Sequence, residues 1–160
     1  MDLVSESLAE MIGTSVAVGA DEPVMLGCVR LAAQPESVGG ARWVTREVLG
    51  RLRIGEVARE NAELVVSELV TNAVIHGGAG DDAYVLLVVM QSGPTLRVKV
   101  YDTTPNLGPR PAPASDAESG RGLVIVDALS DRWGATASTY GKCLWAEFDV
   151  GVLLPGGPEA

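Results

Sequence analysis

Residues 56–76 carry the strongest helical pattern in the chain: Val57, Leu64, Leu69 and Ala73 recur at helical spacing, and Gly77-Gly78 stop the run. A second helical pattern covers residues 35–52, with Val38, Val44, Val48, Leu49 and Leu52 in phase. Pro35 and Glu36 suit its first turn, and Gly39-Gly40 weaken it near the start. Before it, "PVMLGCVRLAA" (23–33) alternates imperfectly and predicts a strand. After the long helix, "AYVLLVVMQ" and "TLRVKVYD" predict two strands, and the short connector "SGP" makes them an antiparallel hairpin. Residues 103–119 are rich in Pro, Ser and Ala and read as a long loop. A helix of about ten residues is expected to start near Gly122. "GATASTY" and "KCLWAEFDV" then form a last hairpin, turning at Tyr140-Gly141.

The predicted order is strand, helix, helix, hairpin, loop, helix, hairpin. Such partial segregation of strands and helices favours a two-layer α+β sandwich over a doubly wound parallel sheet. One domain over residues 23–150 is expected, with an N-terminal arm at 1–22 and a C-terminal tail at 151–160. The length of 160 residues suits one core.

Composition narrows the function. Hydrophobic residues make up 47% and charged residues 21% of the chain. The net charge of −9 argues against nucleic acid as a partner, because phosphate contacts need clustered Lys and Arg. Cys28 and Cys143 lie in apolar, strand-like runs and read as small core residues in a reducing compartment rather than as a disulfide. With one His and two distant Cys, no zinc spacing is present. The N-terminal stretch lacks a basic region and carries Asp2, Glu6 and Glu10, unlike a signal peptide. No run is long and apolar enough to span a membrane, so the expected location is the cytoplasm.

Three motifs carry candidate chemistry. "SELVTNAVIHGG" (67–78) places Glu68, Asn72 and His76 four residues apart, which draws them into one slowly drifting stripe. They could form a solvated edge beside a core stripe of Val57, Leu64, Leu69 and Ala73. Yet Val65, Val66, Val70, Val74 and Ile75 make nearly every other side apolar, and polar groups on a buried helix need partners or a ligand. An amide oxygen can hold Mg²⁺ while a carboxylate one turn away takes a proton. The second motif is "KVYDTTPN", with Asp102 ending a strand, either a turn-starting Asp or an acceptor for an exocyclic amine. The third is "ESGRGLVIVDALSDRWG", where Gly120 and Gly122 stand before a helix and could admit phosphates to its N-terminus. A dinucleotide fingerprint would need a preceding strand and a glycine where Ile125 stands.

In this order, E-x-x-x-N-A, a strand-end Asp, and G-x-G-L opening a helix, the chain resembles the Bergerat-type ATP-binding fold of the GHKL superfamily. It is most similar there to the small anti-sigma-factor serine/threonine kinases of actinobacterial type, over residues 30–150. The resemblance implies a mixed, mostly antiparallel sheet with helices on one face, ATP and Mg²⁺ as cofactors, and an ATP lid over about residues 103–121. It implies Glu68 as general base, Asn72 as Mg²⁺ ligand and Asp102 at adenine. Gly120, Gly122 and Leu123 would surround the phosphates, and Arg121, from its position, could add charge there. His76 is too far along the helix to pair with Glu68 and reads as structural. The superfamily's D-x-G-x-G is D-T-T-P-N here: Thr104 stands for the first glycine, with a hydroxyl that could reach the adenine side, and Asn106 for the second. The implied activity is phosphoryl transfer to an anti-anti-sigma partner with a STAS domain, by a homodimer that also binds a sigma factor. The alternative is a catalytically silent ATP-binding module, or a nucleotide-independent one, on the same fold.

Overall fold

A computed structural model describes residues 22–76, 82–103, 117–138 and 141–151. The hairpin at its centre follows from Gly93, whose φ of 53° suits the tight turn between β2 (Tyr84–Ser92) and β3 (Thr95–Thr103). β1 (Val24–Ala32) pairs with β2 on one side, and β5 (Gly141–Asp149) pairs with β3 on the other. β4 (Arg132–Ser138) pairs with β5 at the edge. The order is β1-β2-β3-β5-β4, and every neighbouring pair is antiparallel.

Alternation sorts the strand residues onto two faces. Val85, Leu87 and Val89 of β2 share a face with Val98 and Val100 of β3 and with Ala146 of β5. On that face lie α1 (Ser37–Gly50), α2 (Glu56–His76) and α3 (Ala117–Leu129). α1 buries Ala41, Thr45 and Leu49 at four-residue steps, and the Thr45 hydroxyl donates to the Ala41 carbonyl at 2.8 Å. The burial of this stripe sustains the helix despite Gly39 and Gly40. α2 buries Val65, Val66, Leu69, Val70 and Ala73. Each fully buried aliphatic side chain contributes roughly 2 kcal/mol by leaving water.

The structure corrects two expectations. Leu69 and Ala73 are in the core, but Val57 is 70% and Leu64 42% exposed, because the sheet covers only one side of α2. α3 starts at Ala117, not near Gly122. Gly120 and Gly122 therefore lie inside the helix, and the expected lid is left with residues 104–116, which are outside the described residues. Ala117 and Glu118 are good helix formers, and packing of α3 against α2 offsets the weak propensity of the glycines.

Both cysteines are free, Cys143 buried and Cys28 half-buried. They sit on β5 and β1 with β2 and β3 between, about 14 Å apart at ordinary strand spacing, which is beyond disulfide reach. No described helix is long and apolar enough to cross a membrane.

Candidate functional site

Glu68 and Asn72 sit one turn apart on α2, and both are half-buried at the margin of its core side. Their polar neighbours are tied to the helix itself. Ser67 donates to the Glu63 carbonyl at 3.0 Å, and Thr71 to the Ser67 carbonyl at 2.7 Å. The Glu68 carboxylate is directed to a neighbouring element, α3.

α3 comes up against that stripe at Gly122. A β-carbon added there would lie 2.9 Å from Glu68 Oε2 and 3.9 Å from its carboxyl carbon. Only a residue without a side chain brings helix backbone this close to the carboxylate. α3 is held in place at its other end. Val126 is buried in the core, and Trp133 of β4 donates from Nε1 to Asp127 at 2.8 Å.

Asp102 lies near the end of β3, half-buried, two residues beyond Val100 and so on the helix-bearing face. The register sets it opposite Val85 of β2 and Lys142 of β5. Directly opposed residues on one sheet face have β-carbons about 5 Å apart, so an acid and a cation share this corner. Lys142 was not singled out from the sequence, because its only signal, the Gly141-Lys142 step, gains meaning from a pairing register.

The structure therefore brings Glu68, Asn72 and Gly122 together where α2 meets α3, and puts Asp102 and Lys142 at the strand ends on the same side of the sheet. Leu123 follows Gly122 and is half-buried; His76 ends α2, half-buried. Gly120 and Arg121 occupy the first turns of α3, and Thr104 and Asn106 are outside the described residues. Gly120 and Gly122 thus lie within α3 rather than ahead of it. The first four N–H groups of a helix lack partners within it, and Gly122 lies beyond them. At Gly122 the helix backbone comes close to Glu68. Among the described residues no group of three or more His, Cys, Asp or Glu is arranged to hold a metal.

Residues 31–148 match the profile of the histidine kinase-like ATPase domain. An uncharacterised protein of Streptomyces coelicolor is 46% identical over 72 residues, covering 43% of this chain and 67% of that protein. The solved structure of the RsbU and RsbW domains of Rv1364c from Mycobacterium tuberculosis superposes with a TM-score of 0.60 at 19% identity. That match covers 86% of this chain but only 34% of the other, so this chain spans about a third of that structure's length. At such low identity the likeness concerns the fold alone.

Proposed function

The chain belongs to the histidine kinase-like ATPase domain family, and on that premise we propose that it is an ATP-dependent protein serine/threonine kinase acting as an anti-sigma factor. The observation that carries this reading is the approach of Gly122 to the Glu68 carboxylate, with the Asn72 amide one turn away.

The donor set fits a Mg²⁺-nucleotide. Asn72 would hold Mg²⁺ through its amide oxygen, Asp102 would accept the adenine amine, and Thr104 would support it. Gly120, Arg121, Gly122 and Leu123 would lie beside the phosphates, with the glycines leaving room. Bound ATP supplies the phosphoryl group, and Mg²⁺ offsets its charge. The chain's own contribution is positional. Glu68 accepts the proton of a serine or threonine hydroxyl, with the α3 backbone at Gly122 packed beside that carboxylate. Lys142 adds positive charge to the Asp102 corner. In this reading the acceptor is an anti-anti-sigma protein of STAS type, the regulated target is a sigma factor, and the protein works as a cytoplasmic homodimer. The order of the sequence motifs and the fold likeness to a structure containing an RsbW domain support it.

Calorimetric titration with ATP, with and without Mg²⁺, tests the site. Wild type should bind with Mg²⁺ linkage, Asn72→Ala should weaken that linkage, and Asp102→Ala should abolish most binding. Glu68→Ala should bind ATP yet transfer no phosphate to a STAS partner. The D-T-T-P-N segment, with Thr104 and Asn106 at the superfamily's glycine positions, favours a second reading as a silent or nucleotide-independent binding module. Absence of ATP and ADP binding by wild type would establish the nucleotide-independent form; binding without transfer would establish the silent one.

A further inference from the structure

α2 is the middle helix of its layer. α1 packs against β1 and α3 against β4, while α2 lies on β3 and β5 between them. Arg46 of α1 meets Glu63 of α2 at 2.6 Å, and Gly122 of α3 approaches Glu68 on the other flank. The side of α2 turned away from the sheet meets water, yet it carries large apolar residues. Val57 is 70%, Leu64 42% and Ile75 61% exposed. At about 100° per residue these three fall within about 20° of one another, opposite Val66 and Ala73 of the core. Glu68 lies between Leu64 and Ile75 along the helix. A rise of about 1.5 Å per residue puts it about 6 Å beyond Leu64 and about 10 Å before Ile75.

A third large side chain stands at the same level. α1 and α2 are joined by residues 51–55 and run antiparallel. Trp43 precedes Arg46 by one turn, and Arg46 meets Glu63, so Trp43 stands across the seam from the Ser67–Glu68 level of α2. It is 61% exposed, because Ala41, Thr45 and Leu49 take the core side of α1. The spacing of packed helices sets it roughly 10 Å from the α2 axis. Polar groups nearby are already answered: Ser67 and Thr71 donate to carbonyls one turn back, and Arg46 holds Glu63. Apolar residues scattered singly over a surface are ordinary, but three gathered around one reactive carboxylate mark a contact surface. Tryptophan is enriched among the few residues that dominate such contacts.

The position of Glu68 decides what covers this surface. A proton acceptor works only with the hydroxyl about 3 Å from its carboxylate. A protein that brings a serine or threonine so close also overlies Leu64, one turn before Glu68, and Ile75, two turns after it. A small-molecule acceptor would leave Trp43 and Ile75 uncovered, each about 10 Å away. Charge has little part in the recognition. The carboxylates at this level are the base itself and Glu63, which Arg46 already neutralises. The surface therefore suits an acceptor whose hydroxyl is set among apolar side chains rather than beside a basic cluster.

Resting on the kinase reading, we infer that Trp43, Leu64 and Ile75 form the docking surface for the protein acceptor, which presents its serine or threonine within an uncharged apolar patch. Phosphate transfer to a panel of purified STAS-domain proteins tests this, with Mg²⁺-ATP saturating and the acceptor varied. Trp43→Ala and the double variant Leu64→Ser/Ile75→Ser should each raise the acceptor KM about ten-fold, with kcat within about two-fold of wild type. Far-UV circular dichroism and ATP affinity by calorimetry should match wild type in both. Val24→Ser, at a 56% exposed position on β1, should leave KM unchanged. An unchanged acceptor KM in folded, ATP-binding variants overturns the inference and leaves the kinase reading standing. A loss confined to kcat overturns it too, because the residues would then act on the transfer step and not on docking. Transfer by wild type to no STAS-domain protein ends the kinase reading, and this inference with it.

Discussion

Gly122→Ala sets two effects against each other. Alanine in a helix interior is favoured over glycine by about 1 kcal/mol. Against that, the new β-carbon would lie 2.9 Å from Glu68 Oε2. Ordinary contact requires the carboxylate to retreat by about half an ångström. The oxygen is the tip of a flexible side chain, so the retreat costs less than about 1 kcal/mol of rotamer strain. The variant should therefore match wild type or exceed it by up to about 1 kcal/mol, raising Tm by about 2–4 °C. Function should move the other way. A displaced general base costs up to about 100-fold in transfer, since catalysis depends on sub-ångström placement. Differential scanning calorimetry and Mg²⁺-ATP-dependent phosphate transfer measure the two effects separately. The double variant Gly122→Ala/Glu68→Ala removes the clash and should show the full propensity gain, so a double-mutant cycle isolates the contact. A loss of more than about 2 kcal/mol in Gly122→Ala would show an unyielding contact. Wild-type transfer in a stabilised variant would show that the carboxylate beside Gly122 is not the base. Either result refutes the reasoning.

Gly134→Ala should behave differently, because its β-carbon would lie 2.7 Å from Trp145 Cζ2, and an indole ring cannot bend away. A loss of about 1–3 kcal/mol with a shifted tryptophan emission is expected, and unchanged emission would count against the stacking. Leu69→Ala, at a fully buried position, should cost about 2–5 kcal/mol in urea unfolding, whereas Val57→Ala, 70% exposed, should stay within about 0.5 kcal/mol. Burial raises the Cys143 thiol in the folded state, so its contribution to stability is complete below the ordinary thiol range and is lost as pH rises through the folded value. The urea midpoint of Cys143→Ala should accordingly fall less than that of wild type between about pH 8 and pH 10; equal slopes would rule out the thiol as a source.

The spacing of Glu68 and Asn72 was legible from the chain because a four-residue step is a local property of any helix. The β2–β3 hairpin was legible for the same reason, with Gly93 supplying the turn between two continuous apolar runs. Asp102 at a strand end required only the strand period. Thr104 and the rest of residues 104–116 of the expected lid lie outside the described residues, so that part of the site rests on the sequence.

Sequence alone determined the element order, the two-layer class and the set of polar residues that could act together. Periodicity fixes which side chains share a side, but not what that side meets. Only the tertiary structure decided that Gly122 lies within α3 and touches the Glu68 carboxylate, a contact between residues far apart in sequence. Only the register of β3 with β5 put Lys142 opposite Asp102. Packing decided that Val57, Leu64 and Ile75 stay exposed while Leu86, Val88 and Met90 on the second face of the sheet are buried. Each of these depends on which surfaces the folded chain lays together, which is settled by long-range burial rather than by any local preference.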